Sequence, residues 1–137
     1  MTSAPSPGSA GRPLPGLPGT LGIKLGYVGA DYVEATLLVT EAHLVPDAPH
    51  MHAGTVVTLA DTACGYGCRS ALPTDAAGFI TLELKANLLK AALPGDHLTC
   101  VARPVHLGRR TQLWDASVTG KRSPRPIALF RCTQLVL

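Results

Sequence analysis

The sequence has little charge, few aromatic residues and no long apolar run. Only 15% of its 137 residues are charged and 4% are aromatic, and the formal net charge is +3. A charge this small does not provide the clustered basic surface that binds nucleic acids, and no apolar run approaches the roughly 18 residues that span a bilayer. We therefore expect neither a nucleic acid nor a membrane as a partner. The 46% of hydrophobic residues instead indicates one globular domain with a core of Leu, Val and Ala.

The first twenty residues lack the basic and then apolar pattern of a secretory signal. They contain five of the twelve prolines and four of the fourteen glycines. We therefore predict a flexible segment over residues 1–13, a domain over residues 14–137 and one helical turn near residues 14–17. Without a signal, the cysteines are expected to be reduced thiols in a cytoplasmic protein. There are four of them: Cys64, Cys68, Cys100 and Cys132.

Alternation of apolar and polar residues predicts six strands. The clearest alternation covers residues 80–88, and its apolar positions are Ile80, Leu82, Leu84, Ala86 and Leu88. Similar patterns bounded by turn residues place the other strands at 22–28, 32–40, 97–106, 111–119 and 127–136. A helical stretch that begins between Ala53 and Thr55 and ends by Pro73 separates the first two strands from the last four. This order indicates an α+β fold in which one long helix covers one face of a curved antiparallel sheet.

The helical stretch is apolar or small nearly all round. Helical spacing predicts one face made of Val56, Leu59, Ala60, Ala63, Cys64 and Gly67. The opposite face carries Val57, Asp61, Gly65 and Cys68. A helix of this kind is buried on most sides, but the sheet of so small a domain covers only one of them. We therefore predict that the second face meets another subunit in a dimer.

Asp61 is the only acid in this helix and has two interpretations. It can be a structural carboxylate that accepts hydrogen bonds from a facing strand, from Thr58 or from Thr62. Alternatively, it is a catalytic carboxylate whose reactivity is raised in a partly dry cleft.

The start of the helix is a second candidate for chemistry. Small residues in "HAGT" leave the N–H groups of the first turn accessible behind His52, where they can bind an anion or polarise a carbonyl oxygen. The alternative is an ordinary helix start with Thr55 near the cap. Ala53 and Asp61 lie roughly 12 Å apart along the helix axis. If they act together, Asp61 must come from the antiparallel helix of a second subunit.

The stretch from His52 to Ala63 resembles the signature of a known enzyme family. His52-Ala53-Gly54, four further residues and Leu59-Ala60-Asp61-Thr62-Ala63 are similar to the H-G-G-x4-L-A-D/E-x-A pattern of hotdog-fold acyl-CoA thioesterases. The resemblance is to the phenylacetate-pathway branch and its relatives that hydrolyse 4-hydroxybenzoyl-CoA. Residues 78–118 resemble that family's third, fourth and fifth strands. The resemblance implies a central helix wrapped by a six-stranded sheet, in a dimer or a dimer of dimers.

The resemblance also implies roles for particular residues. Asp61 would attack the thioester carbonyl or activate a water, while the N–H groups of Ala53 and Gly54 on the other subunit polarise the thioester oxygen. His52 would orient the thioester or the water. Further contacts to the substrate are expected from His50, Thr62, Gly65, Lys90, Arg109 and Arg110, with Arg122 behind them. Neither a metal nor another cofactor is implied, because CoA is part of the substrate.

The chain departs from the family pattern at three positions. Ala53 replaces the first glycine, and Gly65 stands where some relatives have Ser or Thr one turn after the acid. Pro46 occupies the place of an upstream Asn or Gln, with Asp47 and His50 nearby. These changes put the contacts to the substrate in question more than the reaction itself.

Three other functions compete with this interpretation. A zinc site could use His50, His52, Cys64 and Cys68, but the sequence lacks a paired C-x-x-C framework. A hotdog protein that binds acyl-CoA without catalysis would have no need of Asp61. A hotdog dehydratase generally pairs a histidine with an acid in another arrangement. The favoured prediction is therefore an acyl-CoA or aryl-CoA thioesterase that works as a homo-oligomer.

Overall fold

The computed structural model describes residues 11–137. Most of the flexible segment predicted for residues 1–13 lies outside this range. Strand β1, Arg12–Pro13, pairs antiparallel with Lys24 and Leu25. Helix α1 follows at Gly16–Thr20, slightly after the helical turn predicted near residues 14–17.

The remaining strands and the long helix agree with the sequence pattern to within a few residues, and one short 3-10 turn was not predicted. They are β2 Lys24–Val28, β3 Val33–Leu38, a 3-10 turn Glu41–His43, α2 Ala53–Ser70, β4 Phe79–Leu88, β5 His97–Leu107, β6 Thr111–Gly120 and β7 Ser123–Val136. All strands belong to one antiparallel sheet of order β1-β2-β3-β5-β6-β7-β4. The α+β prediction is confirmed, but the count of six strands is wrong by one. Residues 12–13 gave no period-two signal, because two residues are too few to show one.

Strand β4 lies at one edge of the sheet. It follows α2 in the chain, yet it pairs with β7 and not with β5. The segment 89–96 carries the chain from this edge to β5, in the middle of the sheet. Within residues 11–137, the other edge of β4 has no strand beside it. The backbone groups along that edge are therefore open to pairing with another strand.

Helix α2 packs on one face of this sheet through the small residues that the sequence predicted for its core side. Leu59, Ala60, Ala63 and Cys64 are completely buried. Cys68, which the spacing placed on the opposite face, is also completely buried. It lies only roughly 40° of helix rotation from Cys64, so the sheet covers a wider arc of the C-terminal half of the helix than the pattern indicated. No helix within residues 11–137 is long and apolar enough to cross a membrane.

A bulge interrupts β4 and changes which of its residues face the helix. Thr81 lies opposite Gln134, but Glu83 already lies opposite Thr133, so Leu82 is extra in the pairing. Residues directly opposite each other in a sheet share a face, and Gln134 is completely buried. Thr81 therefore faces α2. The uninterrupted alternation predicted for residues 80–88 is wrong at its start, because a bulge shifts the alternation by one residue.

Candidate active site

Asp61 lies at the middle of α2, on the side that the sheet leaves partly uncovered. Its side chain lines a cavity of about 270 Å³. The predicted contacts Thr62 and Gly65 line the same cavity. The other lining residues were not predicted, and they are Pro18, Tyr66, Arg69, Phe79 and Thr81. The structure therefore gives Asp61 a space with two aromatic walls and one cation.

The Asp61 carboxylate has few protein partners. Burial raises its pKa above the ordinary value of 3.8, and the Thr81 hydroxyl lies 3.5 Å from Oδ1. Thr58 does not serve Asp61, because its hydroxyl donates to the Gly54 carbonyl at 2.8 Å. Among the residues that the structure describes, only Thr81 offers a hydrogen-bonding side chain to this carboxylate, and at 3.5 Å the contact is longer than an ordinary hydrogen bond. The structural interpretation of Asp61 thus finds little support.

An aromatic ring of β4 lies beside Gly65 in this cavity. A Cβ at Gly65 would lie 3.6 Å from Phe79 Cζ, which is ordinary contact. The ring therefore occupies the space beyond the position where some relatives have Ser or Thr. The sequence did not identify Phe79 or Thr81 because both come from β4, whose bulge is invisible in the pattern of apolar residues.

A second cavity, of about 320 Å³, lies at the start of α2. Three residues predicted as site residues line it: His50, Ala53 and Lys90. Its other walls are mostly apolar, and they are Met51, Val56, Leu88, Leu89, Ala91, Ala92 and Ile127. The helix start thus presents an apolar pocket with one cation at its margin.

His52 caps the helix, and this changes the role predicted for Gly54. Its Nδ1 accepts the Gly54 N–H at 2.8 Å, and its carbonyl accepts the Thr55 N–H at 3.0 Å. Within residues 11–137, the Ala53 N–H has no acceptor. The predicted donor pair is therefore reduced to Ala53 in this structure. The alternative of an ordinary helix start holds in that the helix is capped, but the cap is His52. Thr55 does not supply it, because Thr55 is buried and donates its hydroxyl to the His43 carbonyl at 3.2 Å.

The two cavities are separate within one chain. They share no lining residue, and Ala53 and Asp61 are two helical turns apart, roughly 12 Å along the axis. The carboxylate and the free N–H of Ala53 therefore cannot act on one carbonyl group inside a single chain.

The predicted phosphate-binding cations lie at opposite ends of the molecule. Lys90 lines the cavity at the helix start. Arg109 and Arg110 are exposed in the turn between β5 and β6, near the C-terminal end of α2, and line neither cavity. Arg122 lies in the turn between β6 and β7 and donates to the Pro94 carbonyl at 3.2 Å. Lys90 is thus the cation of this set with the clearest place in a site.

The four residues considered for zinc do not come together. His50 and His52 are exposed, whereas Cys64 and Cys68 are completely buried. Burial raises the pKa of Cys68 to about 11, so this thiol stays protonated at neutral pH and is a poor metal ligand. Across residues 11–137, no three His, Cys, Asp or Glu side chains form a group that could hold a metal ion.

Known proteins are similar to this chain in both sequence and architecture. The Thioesterase superfamily model matches residues 48–125. The 1,4-dihydroxy-2-naphthoyl-CoA hydrolase of Listeria monocytogenes is 31% identical over 118 residues, which are 86% of this chain and 93% of that protein. Acyl-coenzyme A thioesterase PaaI of Escherichia coli is 30% identical over 81% of this chain and 75% of its own length.

A solved structure agrees with these relatives. A Streptococcus mutans protein bound to acetyl CoA superimposes with a TM-score of 0.75 and 27% identity, over 84% of this chain and 88% of that one. The hotdog architecture and the enzyme class predicted from the sequence are confirmed. The chain therefore belongs to the Thioesterase superfamily.

Proposed function

We propose that the protein hydrolyses an acyl-CoA or aryl-CoA thioester at a site shared by two subunits. The observation that carries the proposal is the division of the chemistry between two cavities. One holds the partly buried Asp61 carboxylate, and the other holds the accessible Ala53 N–H at the helix start. Each cavity of one chain would be completed by the other cavity of a second copy.

The free edge of β4 supports the dimer. This edge strand exposes large apolar side chains, namely Ile80, Leu82, Leu84 and Leu88, each at least 42% exposed. Apolar side chains along an open strand edge favour pairing with another strand. Antiparallel pairing of two β4 strands would extend the sheet across both subunits and set the two α2 helices antiparallel. Asp61 of one copy would then approach Ala53 of the other.

The chemistry follows from these two groups. The Ala53 N–H, at the positive end of the helix dipole, would stabilise the negative charge that develops on the thioester oxygen. Asp61 would attack the carbonyl carbon, expelling the CoA thiolate and leaving an acyl-aspartyl anhydride that water hydrolyses. Alternatively, it would take a proton from the attacking water while the same C–S bond breaks. Both routes yield the free acid and CoA.

The relatives support CoA as the part of the substrate that this family holds. The Listeria monocytogenes relative carries 1,4-dihydroxy-2-naphthoyl-CoA in its name, and the Streptococcus mutans protein was solved with acetyl CoA. In our proposal, Lys90 contributes charge toward the CoA phosphates and the ring-lined cavity at Asp61 accepts the acyl or aryl group. The four buried free thiols agree with the proposed cytoplasmic location.

The decisive experiment compares wild type with Asp61→Asn on a panel of acyl-CoA and aryl-CoA thioesters. CoA and free acid are both quantified by chromatography. We expect Asp61→Asn to lose on the order of 10³-fold or more in kcat. Asp75→Asn, an exposed acid that lines neither cavity, is the matched control and should keep full activity. Full activity in Asp61→Asn would refute the mechanism.

The capped helix start favours one second candidate, a protein that binds acyl-CoA without hydrolysing it. His52 occupies the Gly54 N–H, which removes one of the two donors that an oxyanion site commonly uses. In that case the wild type and Asp61→Asn would bind a non-hydrolysable CoA thioether equally well, and neither would release a product from any thioester of the panel.

A further inference from the structure

Gln134 is a completely buried polar residue that is linked to Asp61 through a single hydroxyl group. It lies on β7, facing α2. Thr81 Oγ1 donates to Gln134 Oε1 at 2.8 Å, and Gln134 Nε2 donates to Cys132 Sγ at 3.4 Å. Thr81 Oγ1 also lies 3.5 Å from Asp61 Oδ1. Asp61, Thr81 and Gln134 therefore form a chain that leads from the cavity into the core.

The Thr81 hydroxyl has one proton and two possible acceptors. The distance of 2.8 Å to Gln134 is typical of an O–H···O hydrogen bond, whereas 3.5 Å to Asp61 is outside that range. Gln134 is sealed from water, so leaving its oxygen without a proton would carry the cost of an unsatisfied buried acceptor. The proton therefore belongs to Gln134, and the Thr81 oxygen faces Asp61 with a lone pair.

We propose that Gln134 is a positioning residue for Asp61: it holds the Thr81 hydroxyl so that a lone pair, and not a proton, faces the carboxylate. This inference rests on the proposed function, in which Asp61 is the nucleophile or base. A carboxylate without a stabilising donor stays a stronger base and nucleophile. Its protonated form, by contrast, can donate to Thr81. Gln134 thereby sets the reactivity of Asp61 without touching the substrate.

Apart from Thr81, the groups that surround Asp61 make no hydrogen bond to Gln134 within residues 11–137. Tyr66 and Arg69 of α2 line the same cavity, and Arg12 of β1 lies over the Tyr66 ring at 5.7 Å. Cys64 is buried behind Asp61 on the same helix. Helix α1 contributes Pro18, which does not titrate, and β4 contributes Phe79 besides Thr81. Gln134 also reaches Cys64 through Cys132 Sγ. The Thr81→Val background therefore separates a shift along that route from a shift through the Thr81 hydroxyl.

The test measures the titration of the Asp61 carboxyl carbon by ¹³C NMR, assigned with Asp61→Asn, together with the acid limb of the kcat/KM profile. Gln134→Met frees the Thr81 proton to donate to Asp61. We expect the apparent pKa of Asp61 to fall by about half a unit or more, and the acid limb to move with it. In the Thr81→Val background, Gln134→Met should shift nothing.

Two further variants keep the inference testable. Thr133→Val removes a hydroxyl on the same strand that donates to Glu83 at 2.8 Å, away from Asp61, and should leave the titration unchanged. If Gln134→Met does not fold, Thr81→Val decides alone, because an upward shift would show that Thr81 donates to Asp61. An upward shift of the Asp61 pKa in Thr81→Val would overturn the inference. A shift caused by Gln134→Met that persists in the Thr81→Val background would overturn it as well. The NMR titration stays informative even if no thioester is hydrolysed, so the two failures are distinguishable.

Discussion

Asp61 is held in a setting that favours reactivity over stability. Burial raises its pKa, and its one hydrogen-bonding neighbour within residues 11–137 is a distant hydroxyl group. Because the native state binds this proton more readily than the unfolded chain, the contribution of Asp61 to stability is greatest at low pH and is lost as the pH rises through the folded-state pKa. At neutral pH the ionised carboxylate therefore destabilises the fold.

Asp61→Asn should consequently be more stable than the wild type at pH 7. We expect the Tm to rise by roughly 1–4 °C, a modest amount because a partly exposed carboxyl keeps some hydration. The difference should shrink as the pH falls toward the ordinary pKa of an aspartate, since both variants are then neutral. Thermal unfolding at pH 7 and pH 4 checks this, with Asp75→Asn as control. A variant that is less stable at pH 7 would show that Asp61 has a structural role.

A substitution of His52 distinguishes a capping role of this residue from a catalytic one. Its ring accepts the Gly54 N–H, so His52→Ala should lower the free energy of unfolding by about 1 kcal/mol, as loss of a helix cap does. It also frees the Gly54 N–H to help stabilise the thioester oxygen. We therefore expect kcat to change by no more than roughly tenfold. A loss of activity comparable to that of Asp61→Asn would instead assign His52 to the reaction.

The packing of helix α2 on the sheet requires a close approach at one glycine. A Cβ at Gly67 would lie 2.5 Å from Trp114 Cη2, so the helix rests directly on this ring. Trp114 Nε1 donates to Gln112 Oε1 at 2.8 Å, and Gln112 Nε2 donates to the Ala71 carbonyl at 3.2 Å. These contacts fix the C-terminal half of α2 on β6 and, through the helix, the position of Asp61.

Gly67→Ala and Gly65→Ala form a matched pair on this helix. Replacing either glycine by alanine favours the helix by up to about 1 kcal/mol. Only the methyl group added by Gly67→Ala collides with Trp114. We expect Gly67→Ala to lower the free energy of unfolding by about 1–3 kcal/mol, and Gly65→Ala to be neutral or stabilising. Denaturant unfolding measures both. Equal stabilities would contradict the close packing of α2 on Trp114.

The elements were predictable where local periodicity alone decided them. The core face of α2 and the strand predicted at 111–119 follow directly from spacing, because burial on one side imposes a fixed period. The sequence did not identify Thr81 and Gln134 as site residues. A bulge shifts the alternation in β4, and only strand pairing places the two residues beside Asp61. One signal was available for Gln134: it is a polar residue at an apolar position of its strand. The capping of Gly54 by His52 depends on a side-chain rotamer, which no spacing reveals.

In our proposal, one chain presents two incomplete sites. The carboxylate and the free N–H of Ala53 lie in different cavities, and within residues 11–137 β4 offers an open apolar edge that could pair with a second copy. A closed two-fold dimer would produce two identical composite sites. The activity would then belong to the pair of subunits, because neither chain alone brings both groups to one carbonyl.

Ala53→Pro provides a clean way to remove one half of the site. Ala53 is the first residue of α2 and its N–H has no acceptor within residues 11–137. Proline is favoured at this position, since its fixed φ suits the helix and the lost N–H made no intrahelical bond. His52 is already extended, with φ −65° and ψ 138°, as a residue before proline requires. The variant should fold normally and lose most of its activity.

Mixing two inactive variants tests the shared site most directly. Asp61→Asn and Ala53→Pro are co-expressed with different tags, and the mixed dimer is isolated and assayed for thioester hydrolysis. If the site is shared, each mixed dimer contains one intact site, and a random mixture recovers about a quarter of wild-type activity. If Asp61 and Ala53 of the same chain form the site, the mixed dimer stays inactive, and that result would contradict the account.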